Sequence, residues 1–307
     1  MNKIVIAGAS GFIGTALMKA FKEEGWHITA VSRGASVKGA DETVAWSDDP
    51  ASPLGRALSE SRALINLAGR SIMTRFTTQA KEEILKSRVD STQQLGRLIA
   101  GLSSKPEVWV NASAIGIYGD RGDKILTEAS AIGEGFLPDT CMAWESAVMK
   151  ENLPDVRRVM IRIGIVLGHG GGAFDQLSKV TNMYAGGALG SGQQYVSWIH
   201  LKDLVRMFVW AVTNEVSGPI NGTAPSPVTN AELMAGLRDV YGKPPIPPAP
   251  AFIIKAVLPM MGIEPSLLLD GHRVVPELAM IHGFRFEFET LTFALHDLVE
   301  KPILTKM

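Results

Sequence analysis

At 307 residues the chain can form one large α/β domain, or such a domain with a smaller companion. A formal net charge of −1 excludes a bulk electrostatic attraction to nucleic acid or to an anionic membrane surface. The single cysteine, Cys141, excludes an internal disulfide, and the six histidines lack ligand spacing, so no metal centre is predicted.

The first element is a short run rich in β-branched residues, Lys3 to Ala7, as expected of a buried parallel strand. Its position leaves no room for a signal peptide. The richest apolar stretch, Phe252 to Ile263, is interrupted by Lys255 and Pro259 and is too short to span a membrane. A soluble, cytoplasmic protein is therefore expected. Gly8, Gly11 and Gly14 follow the strand at intervals of three, ahead of a helix with Leu17, Ala20 and Phe21 on one face. Strand, glycine turn and helix in that order make a dinucleotide-binding opening. The glycines allow close backbone approach, and the helix N-terminus offers unpaired N–H groups to a pyrophosphate. The turn residues assigned to the cofactor are Gly8, Ser10, Gly11, Phe12, Ile13 and Gly14.

A second strand, His27 to Ser32, ends at Arg33, with no carboxylate before Asp41. An acidic residue at this point suits the free ribose hydroxyls of NAD, whereas Ser32 and Arg33 suit the 2′-phosphate of NADP. The alternative is that Arg33 is a solvated loop residue. Thr43 to Ser47 reads as a third strand, Leu54 to Ser59 as a helix, and Arg62 to Leu67 as a fourth strand. The small residues of Leu67-Ala68-Gly69 would let the backbone lie against the cofactor. A long helix over Thr77 to Leu102 and a fifth strand, Val108 to Asn111, complete a βαβαβ alternation. That alternation predicts a Rossmann-type, doubly wound parallel sheet.

Beyond a loop at Glu128 to Gly135, Leu137 to Lys150 reads as a helix and Arg158 to Leu167 as a sixth strand closing the sheet. Gly168 to Gly172 is a hinge or lid candidate. Helices are predicted over Phe174 to Tyr184, Leu201 to Val212, Asn230 to Tyr241, Ala251 to Val257 and Thr290 to Val299. Short strands are predicted at Gly218 to Thr223 and Phe284 to Phe286. The five prolines of Pro244 to Pro250 predict a stiff extended connection. Residues 1–168 are thus expected to form the dinucleotide-binding domain, with 193–223 returning to it. Residues 169–192 and 224–307 would form a smaller α+β substrate lobe.

These motifs together resemble the extended short-chain dehydrogenase/reductase family. Carriers are the three glycines, Asn66-Leu-Ala-Gly69, Ser113, Ile117-Tyr118-Gly119, Arg162-Ile-Gly164-Ile-Val-Leu-Gly168 and Trp198-Ile-His-Leu-Lys-Asp203. Cys141-Met-Ala-Trp-Glu145, Gly190-Ser-Gly-Gln193 and Gly271-His-Arg-Val-Val-Pro-Glu277 are similar to one branch in particular. That branch comprises NADP-binding, nucleoside-diphosphate-sugar-epimerase-like proteins with a small C-terminal module of unknown function. The resemblance implies an NADP(H) site that includes Ser113 and Gly164, and a small-molecule substrate near Gln193 and Trp198. His200 is a candidate for the crevice near the cofactor, and Arg273 for binding a substrate carboxylate or phosphate bidentately.

The family's chemistry uses a serine with a Tyr-x-x-x-Lys pair, and here the chain departs. None of the four tyrosines has lysine at i+4; the window places Cys141 for the tyrosine and Glu145 for the lysine. Three readings stay open. In one, an oxidoreductase or epimerase works with a substitute relay drawn from Ser113, Tyr118, Cys141 and Glu145. In another, the protein binds NADP(H) without turnover, as a sensor. In the third, the C-terminal lobe is an interaction module. Cys141 also lies on the apolar stripe of its helix, where a cysteine can simply fill space. Asp203 can favour the N-terminus of its helix, and Arg273 can be a surface ion-pair partner.

Overall fold

The computed structural model describes residues 2–34 and 36–300; residues 1, 35 and 301–307 of the expected domains lie outside the described residues. Strands and helices alternate from the start: β1 (Lys3–Ala7), α1 (Phe12–Glu23), β2 (His27–Ser32), β3 (Glu42–Ala45) and α2 (Pro53–Glu60). Next come β4 (Ala63–Asn66), α3 (Thr78–Ala100), β5 (Val108–Ala114), a 3-10 turn at Ile115–Tyr118, and β6 (Ile125–Leu126). They are followed by α4 (Phe136–Met149), β7 (Arg157–Ile163), β8 (Ile165–Leu167), α5 (Gly172–Asn182), β9 (Tyr195–Val196) and β10 (Trp198–His200). Then come α6 (Leu201–Thr213), β11 (Gly218–Gly222), β12 (Val228–Thr229), α7 (Asn230–Val240) and α8 (Ala251–Met260). The chain closes with α9 (Ser266–Leu269), β13 (Arg273–Val274), α10 (Glu277–Ile281) and α11 (Leu291–Glu300).

Seven strands form one parallel sheet in the order β3-β2-β1-β4-β5-β7-β11. This is the doubly wound arrangement, and the direction of winding reverses between β1 and β4. Successive side chains of β1 go to opposite faces, and both faces are covered. Ile4 and Ile6 pack with Leu17, Phe21 and Phe208 on the side of α1 and α6. Val5 and Ala7 pack with Leu58, Leu95 and Ile99 on the side of α2 and α3. A third core joins α7 and α11 through Leu233, Leu237, Leu295 and Leu298.

Several expectations need correction. The predicted sixth strand breaks at Gly164: β7 stays in the main sheet, whereas β8 leaves it and pairs with β10. A Cβ at Gly164 would lie 2.4 Å from the Ser197 carbonyl oxygen, so only glycine admits the neighbouring backbone. The sheet is closed by β11 rather than by this strand. Phe284 to Phe286 is not a strand. Instead Phe284 meets Trp210 and Phe286 edge to face, at ring-centroid distances of 5.4 and 4.8 Å. Aromatic contact with α6, not ladder pairing, is what this segment's alternation encodes. Helix α5 ends at Asn182, and Tyr184 takes a positive φ of 58°. Ala279 and Phe284 are buried in the core beneath α6, so this part of the C-terminal region packs directly on the main sheet's helical layer. The glycine segment at 168–172 is packed over Phe12, whose ring lies 2.9 Å from the Cβ position of Gly171.

Candidate dinucleotide and relay site

The turn after β1 lies backbone against backbone with the exit of β4. Gly8 has φ +79°, and a Cβ there would come within 2.8 Å of the Leu67 carbonyl carbon and 3.1 Å of the Ala68 nitrogen. At Gly14 a Cβ would lie 2.3 Å from the Gly8 oxygen. Helix α1 begins with Gly11 as an extended N-cap, without a side-chain cap and without an acidic residue in its first turn. The N–H groups of Phe12, Ile13 and Gly14 therefore have no intrahelical partner. A concave cradle with orphan donors at the positive end of a helix fits a pyrophosphate.

Arg33 is exposed just past β2. Ser32 Oγ beside it accepts the Gly34 N–H at 3.2 Å. The first carboxylate after the strand, Asp41, is engaged by Lys22 at 2.8 Å and by the Ile28 N–H at 3.0 Å. Those hydrogen bonds hold its carboxyl below the usual range. Arg33 is thus available to a 2′-phosphate, with no acidic competitor at the end of β2.

At the carboxyl end of β5, the Ser113 hydroxyl donates to Glu145 Oε1 at 2.7 Å. Arg162, from β7, grips the same carboxylate with two prongs: Nε to Oε1 and Nη2 to Oε2, each at 2.8 Å. The pair is largely buried, with side-chain exposures of 7% for Arg162 and 13% for Glu145. Arg162 Nη1 donates onward to the Tyr118 hydroxyl at 2.9 Å, and that hydroxyl donates to Asn221 Oδ1 at 2.6 Å. The Asn221 N–H donates to Glu128 Oε1 at 2.8 Å, and Glu128 Oε2 accepts the Leu278 N–H at 3.3 Å. A continuous polar chain therefore runs from Ser113 to the C-terminal region.

The structure brings Ser113, Glu145 and Tyr118 into this one network and leaves Cys141 outside its hydrogen bonds. Tyr118 is fully buried, and burial pushes its phenol up against the opposing pull of Arg162. Burial, and then the Glu145 carboxylate, push the Cys141 thiol up to about 12. A buried thiol held in that way is poorly suited to act as a nucleophile.

The other predicted substrate residues are dispersed. Trp198 is fully buried and donates its indole N–H to the Ser226 carbonyl at 3.0 Å. His200 caps α6 through the Lys202 N–H and stacks on Phe288 at 3.9 Å. Arg273 lies over the Tyr195 ring at 4.6 Å and donates to the Asp123 carbonyl at 3.3 Å. Gln193 is exposed, and its neighbour Gln194 instead lines a cavity of about 630 Å³ together with Lys255, Glu264, Leu269 and Asp270. Asp203 proves to be a buried clamp, accepting the N–H groups of Glu287 and Phe288 at 2.8 Å each.

Sequence reasoning missed Arg162, Asn221 and Glu128. Arg162 interrupts a hydrophobic strand, and a charged residue in a central parallel strand was the available signal. Nothing local marks Asn221 or Glu128, because their partners lie 103 and 93 positions away in the chain.

The sequence profile of the NAD dependent epimerase/dehydratase family matches residues 4–223. The chain belongs to that family. Residues 249–298 match a domain of unknown function, DUF1731. Among curated relatives, the chain is 36% identical over 306 residues to the Epimerase family protein SDR39U1 homolog, chloroplastic, of Arabidopsis thaliana. That match covers 97% of this chain and 86% of the relative. It is also 36% identical to the Epimerase family protein YfhF of Bacillus subtilis, covering 96% of this chain and 97% of YfhF. Among solved structures it resembles the human epimerase family protein SDR39U1 (isoform2), crystallised with NADPH. The TM-score is 0.86 and the identity 30%, over 98% of this chain and 100% of that one.

Proposed function

We propose that this epimerase-family protein is an NADP(H)-dependent oxidoreductase or epimerase acting in the cytoplasm on a small molecule, with Ser113 and Glu145 replacing the tyrosine–lysine pair. The human relative's NADPH, the glycine cradle and the exposed Arg33 support the choice of cofactor. Bound there, the cofactor supplies or accepts a hydride at its nicotinamide ring. The observation that carries the catalytic part is the 2.7 Å hydrogen bond from Ser113 to Glu145. Because the serine proton is committed to the carboxylate, Ser113 offers lone pairs to a substrate hydroxyl. As that hydroxyl loses its proton to Ser113 Oγ, the serine passes its own to Glu145 Oε1. Arg162 fixes the carboxylate in place.

The cavity beside Gln194 carries Glu264 and Asp270 against Lys255. Burial, then the nearby Asp120 and Glu264, push the Asp270 carboxyl up. Such a lining favours an uncharged, hydroxyl-rich group over a diphosphate. The test is single-turnover oxidation of bound NADPH with a panel of small carbonyl compounds, on the wild type and Glu145→Gln. Turnover slowed by about 10²-fold or more in the variant, with NADPH affinity retained, supports the relay. An unchanged rate returns Glu145 to a structural role, and tight NADPH binding without turnover favours a cofactor sensor.

A further inference from the structure

Arg88 has no place in the relay, yet the fold brings it to the same crevice. Helix α3 crosses over between parallel β4 and β5, so it runs against the strands and its first half projects past their carboxyl ends. Thr92 marks the level of the strand ends: it accepts hydrogen bonds from Asn66, the last residue of β4, and from the Trp144 indole, each at 3.0 Å. Arg88 lies one turn further out. Its Cγ and Cζ are 3.3 Å from the Cβ position of Gly69, and its guanidinium lies 5.1 Å from the centre of the Trp144 ring. The half-buried side chain is thus held between the exit of β4 and α4, on the wall where cofactor and substrate would meet.

No carboxylate among the described residues forms an ion pair with it. Nη1 donates to the Ile84 carbonyl at 3.1 Å, the one hydrogen bond of its guanidinium among the described residues, leaving the Nε–Nη2 edge for a second partner. The titratable neighbour that acts on it is Cys141, which stays neutral, while Glu145 is occupied by Arg162. Burial disfavours the charge of Arg88, a cost that a bound anion would offset. The phosphates of a dinucleotide already have partners elsewhere, in the α1 cradle and at Arg33.

We infer that Arg88 binds an acid group of the substrate through its Nε–Nη2 edge, so that the substrate class is a small hydroxy or oxo carboxylic acid. A planar carboxylate matches that fork. The inference rests on the proposed NADP(H)-dependent function.

Oxalate is the probe, with its neutral diamide oxamide as control, each titrated calorimetrically into NADPH-saturated protein. Oxalate should bind the wild type and oxamide should not. Arg88→Gln should weaken oxalate by about ten-fold or more while leaving NADPH affinity unchanged. Arg88→Lys keeps the charge without the fork, should retain part of the binding, and carries the test if Arg88→Gln fails to fold. Wild type that binds NADPH but not oxalate overturns the inference alone. So does an Arg88→Gln protein that keeps its oxalate affinity, or one that loses NADPH instead, which would assign the guanidinium to the dinucleotide. Failure of the wild type to bind NADPH would fell the proposed function, and this inference with it.

Discussion

Glu145 and Arg162 meet in a two-pronged ion pair, with Nε and Nη2 of the arginine each 2.8 Å from a different carboxylate oxygen. In a pair this buried, desolvation opposes what the Coulomb attraction gives, so the larger cost comes from removing one partner alone. Arg162→Gln should destabilise the fold by about 3–5 kcal/mol, because it strands a buried carboxylate. The double variant Arg162→Met with Glu145→Leu should recover most of that loss. Urea denaturation midpoints of the three proteins check this. Equal stability of Arg162→Gln and wild type would contradict it.

The neighbouring thiol should be inert. With the thiol of Cys141 at about 12 rather than an ordinary value near 9.0, its thiolate fraction at pH 8 falls by about a thousand-fold. Iodoacetamide should therefore label the folded protein at least that much more slowly than the urea-unfolded chain. Rapid labelling of the folded protein would restore Cys141 as a candidate nucleophile.

Asp203 should decide whether the C-terminal region stays docked. It is fully buried and receives two backbone N–H groups from residues 84 and 85 positions later, besides an ion pair with Arg206. Asp203→Ala leaves those two donors without their acceptor and should cost about 3 kcal/mol. Limited proteolysis should then cut between residues 270 and 298 well before it cuts the parallel sheet.

Asp270 supplies the pH dependence. Its carboxyl is held above the usual value by burial, then by Asp120 and Glu264. The native state therefore binds this proton more tightly than the unfolded chain does, so its ionisation opposes folding increasingly as the pH rises above the ordinary value, and in full once the pH exceeds the raised one. Asp270→Asn should raise the melting temperature at pH 7. The gain should shrink as the pH falls and vanish below the ordinary carboxylate value of 3.8. A gain independent of pH would point to some other cause.

Much of the parallel sheet was legible because its signals are local. The run from Lys3 to Ala7, the spacing of Gly8, Gly11 and Gly14, and the helix stripe at Leu17 and Phe21 each specify one element with its neighbours in the chain. Where the backbone leaves the regular pattern, periodicity misleads. Gly164 reads as part of one long strand, yet it is where the chain steps from one sheet to another. Phe284 and Phe286 alternate as in a strand, yet Phe284 meets Trp210 on a helix and Phe286 meets Phe284. The relay was half legible. Ser113 could be marked as a match to a pattern and Glu145 as a departure from it, but the grip of Arg162 on Glu145 depends on the register of β5 against β7, which sets Arg162 opposite Ser113. Of the expected substrate residues, Trp198 and His200 are buried in contacts to Ser226 and Phe288.

The glycine cradle and Arg33 together make the dinucleotide assignment, and a fluorescence titration of NADPH and NADH on wild type and Arg33→Ala examines both. Wild type should bind NADPH at least about ten-fold more tightly than NADH, and Arg33→Ala should lose most of that difference while NADH binding holds. Equal losses for the two cofactors would remove Arg33 from the 2′-phosphate. No binding of either by the wild type would contradict the dinucleotide site itself.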